Sequence, residues 1–342
     1  MTYIFITLAL LFSDYVGMRQ AGVAEFRAGH YAQAEALMRT ALESAHSKHD
    51  EYEEALNYSD LGDVLQAQGR LLEAEQAYEK ALSIFNQQPQ YAHAAAIVFR
   101  NLASDLTAEY RYREARTALK EATKLISKYK VQDVTLSAAV MNSLGVVQFD
   151  EGEIDKAENS FARAAALPFE GSWEVHNNIG HVYQIKRQYA KAEEAYAASL
   201  RLAGNGQNHL SLAIIHDSLG SVYMDTGRFK EAESQFREGL ALLEGLDMSS
   251  NTMPMMHTLF QLARTRIAQN DEARAQPFLE RAASIARKNS NAEDMPEIAA
   301  ILDMYAKVLK DLSNTSEADH VQTEAKRIRA GMAFTVPLAN LH

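Results

Sequence analysis

A small residue, an alanine twelve residues later and a second small residue seven beyond that recur eight times along this chain. The alanines are Ala34, Ala74, Ala115, Ala157, Ala192, Ala232, Ala275 and Ala318, spaced by 40, 41, 42, 35, 40, 43 and 43 residues. The leading small residues are Gly22, Gly62, Ala103, Gly145, Gly180, Gly220, Ala263 and Ala306. The trailing ones are Ala41, Ala81, Ala122, Ala164, Ser199, Gly239, Ala282 and Ala325. A period of this length, held in register, points to one supersecondary unit stacked on itself.

The residue types say what the unit is. Two antiparallel helices come close only where side chains are small, so Gly or Ala belongs at their crossing. Tyr78, Phe161, Tyr196 and Phe236 each follow the alanine by four positions, on the same helical face. Gly29, Gly69, Gly152 and Gly227 suit the end of a first helix. An apolar residue then opens the second: Tyr31, Leu71, Tyr112, Ile154, Tyr189 and Phe229. First helices are expected over 17–28, 50–68, 90–109, 132–151, 172–186, 208–226, 252–269 and 294–312. Second helices are expected over 30–46, 70–86, 111–129, 153–166, 188–202, 228–245, 271–288 and 314–329. Only 16 Gly and 6 Pro in 342 residues agree with a helical chain.

This pattern resembles the tetratricopeptide repeat family over residues 17–329. The best copies are Leu61–Leu82, Leu144–Ala164, Ile179–Leu200 and Leu219–Leu240. The resemblance implies an all-α fold, a right-handed superhelical α-solenoid of about eight helix-turn-helix units. Residues 1–16 precede the array and 330–342 form a tail. The family's usual unit is 34 residues. The longer units here are similar to those of kinesin light chain and many bacterial members. Three departures stand out: Glu25 at an apolar position of the first unit, Pro277 inside a second helix, and Gln322 where an aromatic is expected. Pro277 predicts a kink or a displaced helix start.

Charge and motifs narrow the function. The net charge of −11 and the lack of a Lys/Arg-rich block argue against a nucleic-acid partner. With no cysteine, thiolate catalysis and Cys-based zinc sites are excluded. The apolar run 3–12 is too short to span a bilayer. It reads either as an export signal or its remnant, or as an apolar N-terminal helix packing on the first repeat, or as an imperfect start site. The compartment is left open between cytoplasm and export. No nucleophile elbow, P-loop, dinucleotide fingerprint or HExxH motif is present. Gly204-Asn205-Gly206 follows a helix rather than a strand, which argues against a phosphate loop. His176 and His216 occupy a packing position filled elsewhere by Tyr58, Phe99 and Met141, so no metal or other cofactor is expected.

The resemblance implies that first helices line a concave groove. Inward positions lie three residues before the crossing Gly/Ala and one, four and five after it. They read Arg100, Ser104 and Thr107 in the third unit. The fourth gives Asn142, Val146, Phe149 and Asp150. The fifth gives Asn177, His181, Gln184 and Ile185. The sixth gives Asp217, Ser221, Met224 and Asp225. The seventh gives Phe260, Arg264 and Ile267. Asn amides can pair with both N–H and C=O of an extended backbone, and the apolar residues can supply anchor pockets. The carboxylate clamp of chaperone-binding relatives needs a Lys–Asn pair, which is missing here, and Asp217 would repel a carboxylate. The expected function is a non-catalytic scaffold that binds a partner protein or extended peptide in this groove. The alternative is a sensor whose superhelix changes shape on peptide binding.

Overall fold

The computed structural model describes residues 15–86, 88–167, 173–204, 209–246, 252–288 and 296–335. The run 3–12, most of Gly204–Gly206 and the last seven residues lie outside them. Among the described residues every regular element is helical, and the fold is the all-α solenoid of helix pairs that the repeats imply.

The chain divides into two compact units, Met1–Glu170 and Gly171–His342. The first contains α1 (Tyr15–Arg27), α2 (Tyr31–Ser47), α3 (Glu51–Ala67), α4 (Leu71–Phe85), α5 (Ala92–Ala108), α6 (Tyr112–Tyr129), α7 (Val134–Asp150) and α8 (Ile154–Ala165). A 3-10 turn, Pro89–Tyr91, leads into α5. The second contains α9 (Trp173–Ile185), α10 (Tyr189–Ala203), α11 (His209–Asp225), α12 (Phe229–Glu244), α13 (Thr252–Ala268), α14 (Glu272–Lys288), α15 (Pro296–Asp311) and α16 (Thr315–Thr335). Odd-numbered helices are the first of each pair and even-numbered helices the second.

Two details differ from the sequence reading. α14 starts at Glu272 and continues through Pro277, so its start is not displaced. Ala275, Leu279 and Ala282 keep their fully buried positions on either side of the proline. α16 runs to Thr335, six residues past the expected end. No Gly or Pro precedes Gly331 in that helix, so nothing local stops it at 329.

The small residues at the crossings have a definite steric job. A Cβ on Gly62, Gly145, Gly180 or Gly220 would lie 2.4–2.5 Å from the ring of Tyr78, Phe161, Tyr196 or Phe236 respectively. Each ring thus lies against the backbone of its partner helix. Where the second helix supplies Leu119 or Leu279 instead, the crossing residue is Ala103 or Ala263, and all four are buried. Apolar clusters on both sides of these crossings run from Ala55 to Val147 in the first unit and from Ala213 to Ile328 in the second.

All eight turns within pairs share one form. The residue two positions before the second helix is left-handed: Gly29, Gly69, Gly152 and Gly227, but also Tyr110, Arg187, Asn270 and Ser313. The next residue donates its N–H to the carbonyl five residues back, as Arg70 does to Leu65 and Arg111 to Leu106. This is the Schellman closure of a helix C-terminus. Four glycines were legible as turns; the other four positions hold side chains in a conformation that suits glycine.

Successive pairs are also tied by charge. Arg70, Arg111 and Arg228 each follow the left-handed residue. Each reaches the glutamate just after the preceding pair's buried alanine: Glu35 at 2.8 Å, Glu75 at 2.7 Å and Glu193 at 2.8 Å. Each also holds a glutamate three residues ahead, Glu73, Glu114 and Glu231. Glu233 receives Arg266, which comes from the last turn of α13. Between the third and fourth pairs the polarity is reversed. Glu153 takes the turn position, Lys156 lies three residues ahead at 2.7 Å, and Arg116 on α6 reaches over to Glu153 at 3.2 Å and to Glu151.

Candidate functional site

Within each unit the first helices approach one another, α1 with α3, α3 with α5 and α5 with α7, then α9 with α11 and α11 with α13. They form one row in each unit, and the sequence-predicted contacts all lie on them.

In the second unit, α9 carries a chain of hydrogen bonds. Asn177 Nδ2 lies 3.1 Å from His181 Nε2, and His181 Nδ1 lies 2.9 Å from the Tyr196 hydroxyl. That hydroxyl donates to Gln184 Oε1 at 3.0 Å, and Gln184 Nε2 donates to Asp225 at 2.7 Å. One consistent set of donors places the imidazole proton on Nδ1, with Asn177 donating to Nε2. Burial pushes the His181 pKa down, so the ring is held neutral. Asn177 is itself buried, and its Oδ1 has no partner.

Asp217 on α11 points toward the helix junction. One oxygen accepts from Thr258 on α13 at 2.6 Å, and the other is buried without a partner beside the bare Cα of Gly239. Burial raises its pKa to about 6, and the Thr258 hydrogen bond opposes the shift. Met224 accepts a hydrogen bond from Thr265 at 3.1 Å. Arg264 lies over the Phe260 ring, 6.0 Å from its centre, and donates to Gln261. Ser221 is half-buried. The sequence-predicted residues of this unit therefore form three local groups. His181 and Asp217 act as ties between helices, Asn177 holds the His181 ring from within α9, and Gln184, Ser221, Met224, Phe260 and Arg264 are the more accessible.

In the first unit, Arg100 donates to Asn101 at 2.6 Å, and Asn101 donates to Asp63 at 2.7 Å. Tyr78 donates to the same Asp63 oxygen at 2.7 Å. Asp63 and His181 both follow the crossing glycine by one residue, and both hydrogen-bond the hydroxyl of a ring packed on that glycine, Asp63 as acceptor and His181 as donor. The signal was in the sequence: a tyrosine needs a polar partner at that position, and a phenylalanine does not. Below them Asp105 is fully buried. Neither carboxylate oxygen has a well-formed hydrogen bond, and its pKa is pushed up to about 7 by burial, then by Asp63 and Glu109. Asn142 and Phe149 are half-buried on α7.

Between α5 and α7 lies a cleft of about 520 Å³. Ser104, Thr107, Val146 and Asp150 line it, four of the positions expected to face inward. Tyr110 and Tyr112, from the turn and the start of α6, complete its wall. The sequence reading treated Tyr112 as a packing residue and gave Tyr110 no role. No group of three or more His, Asp or Glu among the described residues is placed to hold a metal ion. No helix among them is long and apolar enough to cross a membrane.

Comparison with known proteins bears on the fold. The tetratricopeptide repeat profile matches residues 16–87 and 174–245. A mouse protein, Tonsoku-like protein, is 28% identical over 158 residues, 46% of this chain. The chain spans only 11% of that relative's length. A Pyrococcus horikoshii signal transduction ATPase with a tetratricopeptide repeat sensor superposes with a TM-score of 0.66 at 14% identity, over 96% of this chain and 49% of that one. The apo form of RapI superposes with a TM-score of 0.60 at 15% identity, over 92% and 97%. At these identities the structures speak for the fold alone. The six ring-or-leucine crossings and the shared turn agree with the two matched segments, which are tetratricopeptide repeats.

Proposed function

We propose that the chain is a non-catalytic scaffold that binds an extended segment of a partner protein along its first-helix faces. The observation that carries this reading is the cleft between α5 and α7. The residues that build the stack are buried, whereas Ser104, Thr107, Val146 and Asp150 remain around an open space large enough for a side chain. Such a surface suits a peptide whose backbone lies along the row and whose side chains enter between helices.

Affinity capture from the native host tests it. Lysines introduced by Ser104→Lys with Val146→Lys fill the cleft and are expected to reduce partner recovery at least about tenfold. Glu79→Ala with Arg163→Ala, both exposed on second helices, are expected to leave recovery unchanged. Equal losses from the two pairs would refute the first-helix assignment.

A further inference from the structure

We propose that the cleft between α5 and α7 receives an arginine side chain of the bound segment; this rests on the first-helix reading above. The cleft offers a carboxylate and two aromatic rings, and the surrounding cations are engaged elsewhere. Tyr110 is 79% exposed, in the left-handed position that four other turns give to glycine. A Cβ in that conformation costs about 1–2 kcal/mol, so a bulky ring there is unexpected on structural grounds. Its ring meets Tyr112 edge-on, with centres 6.2 Å apart.

Asp150 stands on the α7 side of the cleft. It is exposed at the rim, yet partial loss of water pushes its pKa up, and no charge or hydrogen bond opposes the shift. The nearby arginines are committed to other acids. Arg111, between the two tyrosines, is held by Glu75, Glu109 and Glu114. Arg116 is held by Glu151 and Glu153. The cleft therefore has negative charge and aromatic faces, and among the described residues no cation pairs with Asp150.

A guanidinium satisfies both features at once. Its plane can stack on a tyrosine face while its fork of N–H donors meets the carboxylate. Thr107 gives its own hydroxyl hydrogen to the Ala103 carbonyl at 2.6 Å, which leaves its oxygen free to accept. Val146 can pack the aliphatic stem. A lysine ammonium would gain the charge but not the fork or the stacking.

An array of random twelve-residue peptides, probed with the full chain, tests the assignment. Captured peptides are expected to be several-fold enriched in arginine over lysine. Replacing that arginine by glutamine should weaken binding at least about tenfold. Asp150→Asn, and separately Tyr110→Gly, should remove the enrichment. Tyr110→Gly should also raise the melting temperature, which shows that its loss of binding is not a loss of fold. Equal enrichment of lysine and arginine would overturn the guanidinium assignment, as would arginine enrichment that survives both substitutions. Capture that lacks arginine enrichment but is abolished by Ser104→Lys with Val146→Lys would overturn it too, and leave the broader first-helix reading intact. No capture at all would sink both.

Discussion

Gly220 and Phe236 show how much one missing Cβ decides. The Cβ of an alanine at 220 would meet the ring edge at 2.5 Å, inside any real carbon–carbon contact. The ring is fully buried and has no free direction in which to move. Gly220→Ala is therefore expected to destabilise the second unit by about 1–3 kcal/mol, the usual cost of overpacking, measured by urea unfolding. Adding Phe236→Leu should recover at least half of that loss. The fold already contains this solution twice, as Ala103 with Leu119 and Ala263 with Leu279. If the double variant were no better than the single one, the steric account would fail. This level of the fold was legible in the sequence, because a ring four residues after the alanine goes with a glycine at the crossing. The direction of the polar side chains was not legible. Asn177 and Asp217 sit at the spacing of groove residues, but Asn177 is buried and holds His181 within α9, and Asp217 ties α11 to α13; spacing alone does not distinguish those roles.

At the scale of helices, the buried polar groups have a pH signature. Asp105 lies on α5 with no well-formed hydrogen bond, and its pKa is about 7 in the fold. An unfolded aspartate titrates near 3.9. Between these values the folded chain binds a proton that the unfolded chain lacks. The stabilisation from that proton is complete below about pH 4 and is lost as pH rises through 7. Asp105→Asn should flatten this slope. Above pH 7 it should exceed the native chain by roughly 1–3 kcal/mol, the cost of an unsatisfied buried polar group. Thermal melts at pH 4.5 and 8 would check it, and a slope unchanged by the substitution would exclude Asp105 as its source. Helix positions themselves were legible to within a residue or two at most ends, because turns and small residues punctuate them. The extension of α16 was not, since the repeat pattern ends before the helix does. Tyr110 and Arg187 were not legible as turn residues, because neither side chain favours the left-handed conformation they adopt.

At the scale of the molecule, order among the repeats matters as much as their stability. Partly exposed ion pairs contribute only about 0–1 kcal/mol each, so the arginine ties between pairs add little to the depth of the native state. Repeat chains fail mainly by docking like units on the wrong neighbour. With its polarity reversed, the fourth pair brings Glu153 to the place where the second and third bring arginine. Docked on the first or second pair, it would set Glu153 against Glu35 or Glu75. On the third it meets Arg116. Restoring the common polarity with Arg116→Glu, Glu151→Gln, Glu153→Arg and Lys156→Glu should leave equilibrium stability within about 1 kcal/mol of the native chain. The same chain should give a larger misassembled fraction on rapid refolding, read by size-exclusion chromatography. Equal refolding yields would remove the role. The reversed tie is thus an address: two charges exchanged across one joint tell otherwise interchangeable units which neighbour is theirs.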